Sequence, residues 1–189
     1  MDTRTRILDV ALRLFAARGY ESVGVQEIVD LARTTKPPLY HHFGSKQGLL
    51  EALLDRHYAV WFEMLEAAVI YHGDLPLTVH RVAESFFRFA TNAPEFYRMQ
   101  LAMWFSAPDS VPHQAVAPHL LRQHRLLERL FQEASRDHGN LRGHHTSYAI
   151  TLPGILNGYI TSLQSAGRSV TDAIVHEAVK QFMHGIFAL

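Results

Sequence analysis

The sequence predicts an all-α protein of about nine helices, with three short helices in a head at residues 1–45 and a larger helical body over 46–189. Three observations predict it. Apolar residues recur at three- and four-residue spacing through most of the chain. Glycine and proline are scarce inside those periodic segments and gather at the joints between them. No segment shows the sustained period-two alternation of a half-buried strand.

The elements follow in order. Ile7, Leu8, Ala11, Leu12 and Phe15 mark one face of a helix over Thr3–Arg18, which Gly19 ends. A second helix spans Val25 to about Ala32, with Gly24 at its N-cap and Glu27 in its first turn. Thr35 can cap a third that ends near Phe43, with Leu39 and Phe43 facing inward. Gly44 breaks the chain, and Ser45 caps a long fourth helix from Lys46 to about Tyr71. Gly73-Asp74-Leu75-Pro76 reads as a turn, Leu77–Asn92 as a fifth helix and Pro94–Phe105 as a sixth. The three prolines between Ser106 and Pro118 predict a loop or broken helix there, and His119–Arg136 is helical again. Two last helices run from about Thr146 to Ala166, bent at Pro153, and from Val170 to Phe187.

Composition excludes several classes. The 189 residues are 48% hydrophobic and 19% charged, a globular balance. Mean hydropathy is near zero and no apolar run suits a membrane span. Asp2 and Asp9 near the start argue against a secretory signal. With no cysteine there are no disulfides and no thiolate metal sites, so a cytoplasmic protein is expected. Net charge is zero overall, but residues 1–50 hold seven Lys/Arg against five Asp/Glu, a mild excess that permits a nucleic-acid-binding head.

Thirteen histidines raise the possibility of a metal enzyme. His176-Glu177 begins like a zincin motif, but Lys180 stands where the second His belongs. His176 and His184 are about 12 Å apart along a helix, His119 and His124 diverge around theirs, and His144-His145 adjoin in a loop. No set has metal-ligand spacing. Phosphate-binding glycine loops, dinucleotide fingerprints and nucleophile elbows are absent. The reading is non-enzymatic, without metal or cofactor.

Three short helices joined by tight turns suggest a helix-turn-helix. The third is too short to be stable alone, so packing must hold it. With Leu39 and Phe43 inward, Lys36, Tyr40 and His41 project outward as a recognition surface. The stretch TRTRILDVALRLFAARGYESVGVQEIVDLARTTKPPLYHHFGSKQGLLEAL, residues 3–54, resembles the DNA-binding domain of the TetR family of regulators. The specific pieces are FAARGY and TKPPLYHHFGSKQGLL.

The resemblance implies a helix-turn-helix regulator that binds double-stranded operator DNA as a homodimer and responds to a small effector, most simply as a repressor. It implies that Thr35, Lys36, Pro37, Pro38 and His41 present the reading helix, with Gln26 near base edges. Tyr40 and His42 would contact the DNA backbone, and Lys46 would reach a phosphate at the start of the fourth helix. Three positions depart from the family pattern: Arg33 replaces a turn glycine, Gly24 a Ser or Thr cap, and Pro38 a threonine. Consecutive prolines predict a third helix that starts one or two residues late, and apolar contact with thymine methyls.

Seven of the twenty residues from Phe86 to Phe105 are aromatic, joined by Met99 and Met103. Such side chains can line an adaptable apolar pocket or simply fill a core. The resemblance implies a pocket in the body, and Phe62, Phe89, Met99, Gln100, Met103, Trp104, Leu120 and Asn157 are its expected lining. Leu156, Tyr159, Ile160 and Leu163 on one late helix, with Val175, Val179, Phe182 and Ile186 on the other, are the expected dimer interface. A helical adaptor that binds a partner protein without DNA is the alternative. Salt discriminates, because phosphate contacts weaken steeply with ionic strength.

Overall fold

The computed structural model describes residues 2–184. Among them the chain forms α1 (Thr3–Arg18), α2 (Val25–Leu31), α3 (Lys36–Phe43), α4 (Lys46–Ala68), α5 (Leu75–Asn92), α6 (Pro94–Trp104), α7 (Val111–Ala134), α8 (His145–Ser165) and α9 (Asp172–His184). A short 3-10 turn, Gly139–Leu141, lies between α7 and α8, and the described residues contain no strand.

Local chemistry accounts for most boundaries. Asp2 caps α1 by accepting the Thr5 N–H at 2.6 Å, a bond that also holds its carboxyl below the usual pKa. Gly19 ends α1 at φ +79°, donating its N–H to the Phe15 carbonyl at 2.9 Å. Ser45 caps α4 by accepting the Gly48 N–H at 2.9 Å. Asp74 does the same for α5 through Leu77 N–H, so α5 starts at Leu75 and Pro76 sits in its first turn, two residues before the expected start.

The largest departure is at α7. The expected loop over Ser106–Pro118 shrinks to the residues between Trp104 and Val111, and the rest is helix. Pro112 occupies a first-turn position, where a missing N–H costs nothing. Pro118 lies inside α7 and removes one ladder bond without ending the helix. Pro153 is likewise inside α8.

The chain divides into two compact units, and the first, Met1–Val60 with Glu95–His119, extends beyond the head expected at residues 1–45. In it α1, α2 and α3 pack on one another around Ile7, Leu8, Ala11, Phe15, Ile28, Val29 and Leu39, all nearly fully buried. Leu49, Leu50, Leu53 and Leu54 of α4 are also buried, and Asp9 accepts from Arg56 at 2.9 Å. Tyr58 donates to Gln100 on α6 and stacks on His119, and His57 stacks on Phe96 at 4.3 Å. Burial, with the Arg56 charge adding to it, lowers the His57 pKa.

The second unit, Trp61–Pro94 with Leu120–Leu189, is built on α5 packed against α8 and α9. The apolar side of α5, with Val79, Val82, Phe86 and Phe87, is buried. Most of the expected dimer residues lie inside the subunit. Leu156, Ile160, Leu163, Val175 and Val179 are buried in the subunit itself, because α5 supplies the apolar partner that α8 and α9 need. Phe182 is half-buried and packs on Phe131 and Tyr148. Tyr159 is half-buried beside Glu177. Ile186 lies outside the described residues.

Leu39 is 0% exposed and is the buried side chain of α3. Leu39→Ala should destabilise the protein by about 2–5 kcal/mol in urea unfolding, the usual cost of a core leucine. A loss under about 1 kcal/mol would mean that α3 is held by something else.

Candidate nucleic-acid interface

An eight-residue helix cannot persist on its own propensity, so α3 owes its form to Leu39 packed against α1 and α2. That packing overrides the late start expected from the two prolines, since α3 begins at Lys36. Thr35 is in N-cap position with extended backbone, yet its hydroxyl makes no capping bond. The reason is in the sequence. A cap side chain accepts from the second or third helical N–H, and here those residues are Pro37 and Pro38, which have none. The Thr35 hydroxyl is therefore free for another partner. Of the first three residues of α3 only Lys36 has an N–H, so the start attracts an anion less than an ordinary helix N-terminus.

The outward face is open. Thr35, Lys36, Pro37, Tyr40, His41 and His42 are exposed, and Pro38 is half-buried. Tyr40 keeps 46% of its surface in solvent. Phe43, expected inward, is half-buried with the Arg4 guanidinium 5.6 Å from its ring centroid. Gln26 is exposed on α2, and its amide donates to Asp30 at 2.8 Å. Lys46 does not stand clear in solvent. It is half-buried, with its ammonium 4.1 Å from the Tyr20 ring centroid, and burial lowers its pKa against the opposing pull of Glu21.

Two backbone details fix how α3 is aimed. Arg33, where the resemblance expects glycine, adopts φ +50°. A non-glycine residue there carries about 1–2 kcal/mol of strain. Flanking bonds hold it, Ala32 N–H to Ile28 carbonyl and Thr34 N–H to Val29 carbonyl, both 2.9 Å. At the other end, a Cβ on Gly48 would stand 2.1 Å from the Phe43 carbonyl oxygen. The α3–α4 junction closes this tightly because residue 48 has no side chain. The sequence carried one signal, a glycine in the first turn of a long helix where propensity disfavours it.

The sequence reading also missed the clamp between α1 and α2. The Arg18 guanidinium is held by both carboxylate oxygens of Glu27 and by the Ser22 carbonyl at 3.1 Å. The Ser22 hydroxyl donates to the Arg18 carbonyl. Arg18 thus ties the end of α1 to the start of α2.

The residues expected to bind a small ligand fall in both units. Gln100 is buried and accepts from Tyr58, and Met99 and Met103 are buried on α6. Trp104 is 36% exposed and stacks on His113 at 5.0 Å. In the other unit Phe89 stacks on Trp61 at 5.1 Å, and Phe62 lies under the Arg122 guanidinium at 3.9 Å. Leu120 and Asn157 are half-buried there, the Asn157 carbonyl accepting from Thr161 at 2.7 Å. Among the described residues no three His, Asp or Glu side chains gather as a metal site, and no helix is long and apolar enough to cross a membrane.

On its outer side α8 carries a shallow groove of about 460 Å³, lined by Gly154, Ile155, Gly158, Tyr159 and Ser162 with Gln181 of α9. Ile150, one turn earlier, is 63% exposed.

Residues 7–53 match the family model of bacterial regulatory proteins, tetR family. The HTH-type transcriptional activator FasR of Mycolicibacterium smegmatis is 34% identical over 98 residues, which cover 52% of this chain and 45% of that protein. The chain therefore spans less than half the length of this relative. Among solved structures, a putative fatty acid metabolism regulator of Clostridium perfringens superposes with a TM-score of 0.84 at 18% identity, over 97% of this chain and all of that one. AibR, solved with isovaleryl coenzyme A and operator DNA, superposes with a TM-score of 0.75 at 23% identity, over 95% and 97% of the two chains. At those identities the structures show the shared fold, and the family match is confined to the head: residues 7–53 are similar to bacterial regulatory proteins of the tetR family.

Proposed function

We propose that the chain is a ligand-responsive transcriptional repressor that binds palindromic operator DNA as a homodimer and is released by a small, largely apolar effector. The observation that carries the reading is α3, a packed helix whose solvent face offers Lys36, Tyr40 and His41 beside two rigid prolines. The ammonium of Lys36 suits guanine O6 and N7 in the major groove, and the proline rings suit thymine methyls. The unused Thr35 hydroxyl, with Tyr40 and His42, suits phosphate oxygens, contacts that position the head without reading sequence. Lys46 reaches a phosphate by leaving the Tyr20 ring, a short movement of a flexible side chain.

One head reads a half-site too short for a bacterial operator. A two-fold dimer doubles it and imposes palindromy. The outer side of α8 supports this pairing. Gly154, Gly158 and Ser162 recur every four residues on one stripe, so a second α8 can approach closely, with Ile150, Ile155 and Tyr159 to bury. Of the sequence-expected interface, Tyr159 belongs to this face. The effector acts by binding better to a state in which the two heads no longer match the half-site spacing. AibR, of the same fold, was solved with an acyl-thioester and operator DNA together.

Selection of the purified protein against a random duplex pool tests the DNA half of the reading. It should enrich an inverted repeat whose half-sites are centred about one helical turn or more apart. Enrichment of a single unrepeated site, or of no sequence, contradicts it. The dimer half is tested by sedimentation. Gly158 is exposed and a Cβ added there meets nothing within 4 Å in the subunit, so Gly158→Arg should keep the fold by circular dichroism. The wild type should sediment at twice the subunit mass and Gly158→Arg at the subunit mass. A Gly158→Arg dimer would place the interface elsewhere.

A further inference from the structure

The first unit contains a cavity of about 330 Å³ between the end of α1 and α6. It is partly open to solvent, and a cleft of this size suits a small organic molecule. Its walls are mostly apolar. Phe15 and Tyr20 line the head side, and Met99, Ala102 and Met103 line the α6 side. Two methionines on one wall give a surface that adapts to different shapes.

The charges around it are balanced. Arg18 borders the cavity, but its guanidinium is held by Glu27 and the Ser22 carbonyl. Glu21 borders it too, within electrostatic reach of the Lys46 ammonium. A charged ligand would gain no unpaired counter-charge and would lose its hydration. The Ser106 hydroxyl donates to the Met103 carbonyl and lies 2.9 Å from the Ser110 hydroxyl, which leaves it able to accept one bond from a ligand.

We propose that this cavity is a binding site for a compact, uncharged, mostly apolar molecule with at most one hydrogen-bond donor, and that its occupant touches the DNA-binding head directly. Arg18 and Tyr20 give the contact its consequence. The first clamps α2 through Glu27, and the second carries Lys46 at the start of α4. An occupant that shifts either side chain changes the aim of α2 or the reach of Lys46 without any relay through the rest of the protein. The consequence rests on the regulator reading, whereas the binding does not.

The test uses the full chain labelled with ¹³C-methyl methionine and indole as the probe, a neutral aromatic with one N–H. The chain has five methionines. Met99→Leu and Met103→Leu assign the two resonances at the cavity. Indole should move both saturably through its ring current and leave Met64 and Met183 in place. Ala102 is exposed at the edge of the cavity, so Ala102→Trp should fill the space, keep the fold by circular dichroism, and weaken indole binding tenfold or more. Shifts confined to Met64 or Met183, no saturable shift, or unchanged binding to a folded Ala102→Trp overturns the site. Since no DNA is present, that failure leaves the regulator reading standing. Conversely, loss of the regulator reading leaves the binding result intact.

Discussion

The head depends on the burial of Leu39. The α3 helix has eight residues, no side-chain cap and two prolines in its first turn, so neither propensity nor local hydrogen bonding can hold it. Burying one leucine among α1 and α2 does, and in doing so fixes which side of α3 faces out. Lys36, Tyr40 and His41 are presented because Leu39 is not. The prolines then stiffen what is presented: they fix two backbone dihedrals and free the Thr35 hydroxyl from capping. A local rule broken at the start of α3 is offset by long-range packing.

The same division between local and long-range effects explains how much could be read from the sequence. Helix α1 was legible to the residue, because its periodicity and Gly19 are local signals. The outward set on α3 was legible because Leu39 fixes the helical phase. The start of α7 was not, since Pro112 and Pro118 were weighed as breakers, whereas one fits a first turn and the other costs a single bond. The apolar residues of α8 and α9 were read as facing a second subunit. Their partner, α5 (Leu75–Asn92), lies far earlier in the chain than α8 (His145–Ser165) or α9 (Asp172–His184), and periodicity shows that a face is apolar without showing what covers it. The surface left on α8, with Gly154 and Gly158, is small and therefore invisible to a search for hydrophobic stripes.

Residues that set geometry without touching a partner were the hardest to read. Gly48 matters for the side chain it lacks, and Arg33 for a backbone angle. Arg18 looks like an ordinary surface cation until Glu27 is brought to it from the next helix. These three shape the turns on either side of α3 and the α1–α2 contact, and Arg18 also borders the cavity beside α6. On the proposed reading, aim and ligand space meet at the end of α1, where a modest side-chain shift has a short path to the surface proposed to face DNA.

The central claim is that the exposed face of α3 reads DNA. Its most direct test is fluorescence anisotropy of a labelled operator duplex with wild type and Lys36→Ala, across a range of salt concentrations. Lys36 is exposed, so the variant keeps its fold. The account predicts wild-type affinity that falls steeply with salt, and a Lys36→Ala affinity about 10- to 100-fold weaker with relaxed preference at one base pair of each half-site. Equal affinity and equal sequence preference in the two proteins would contradict it.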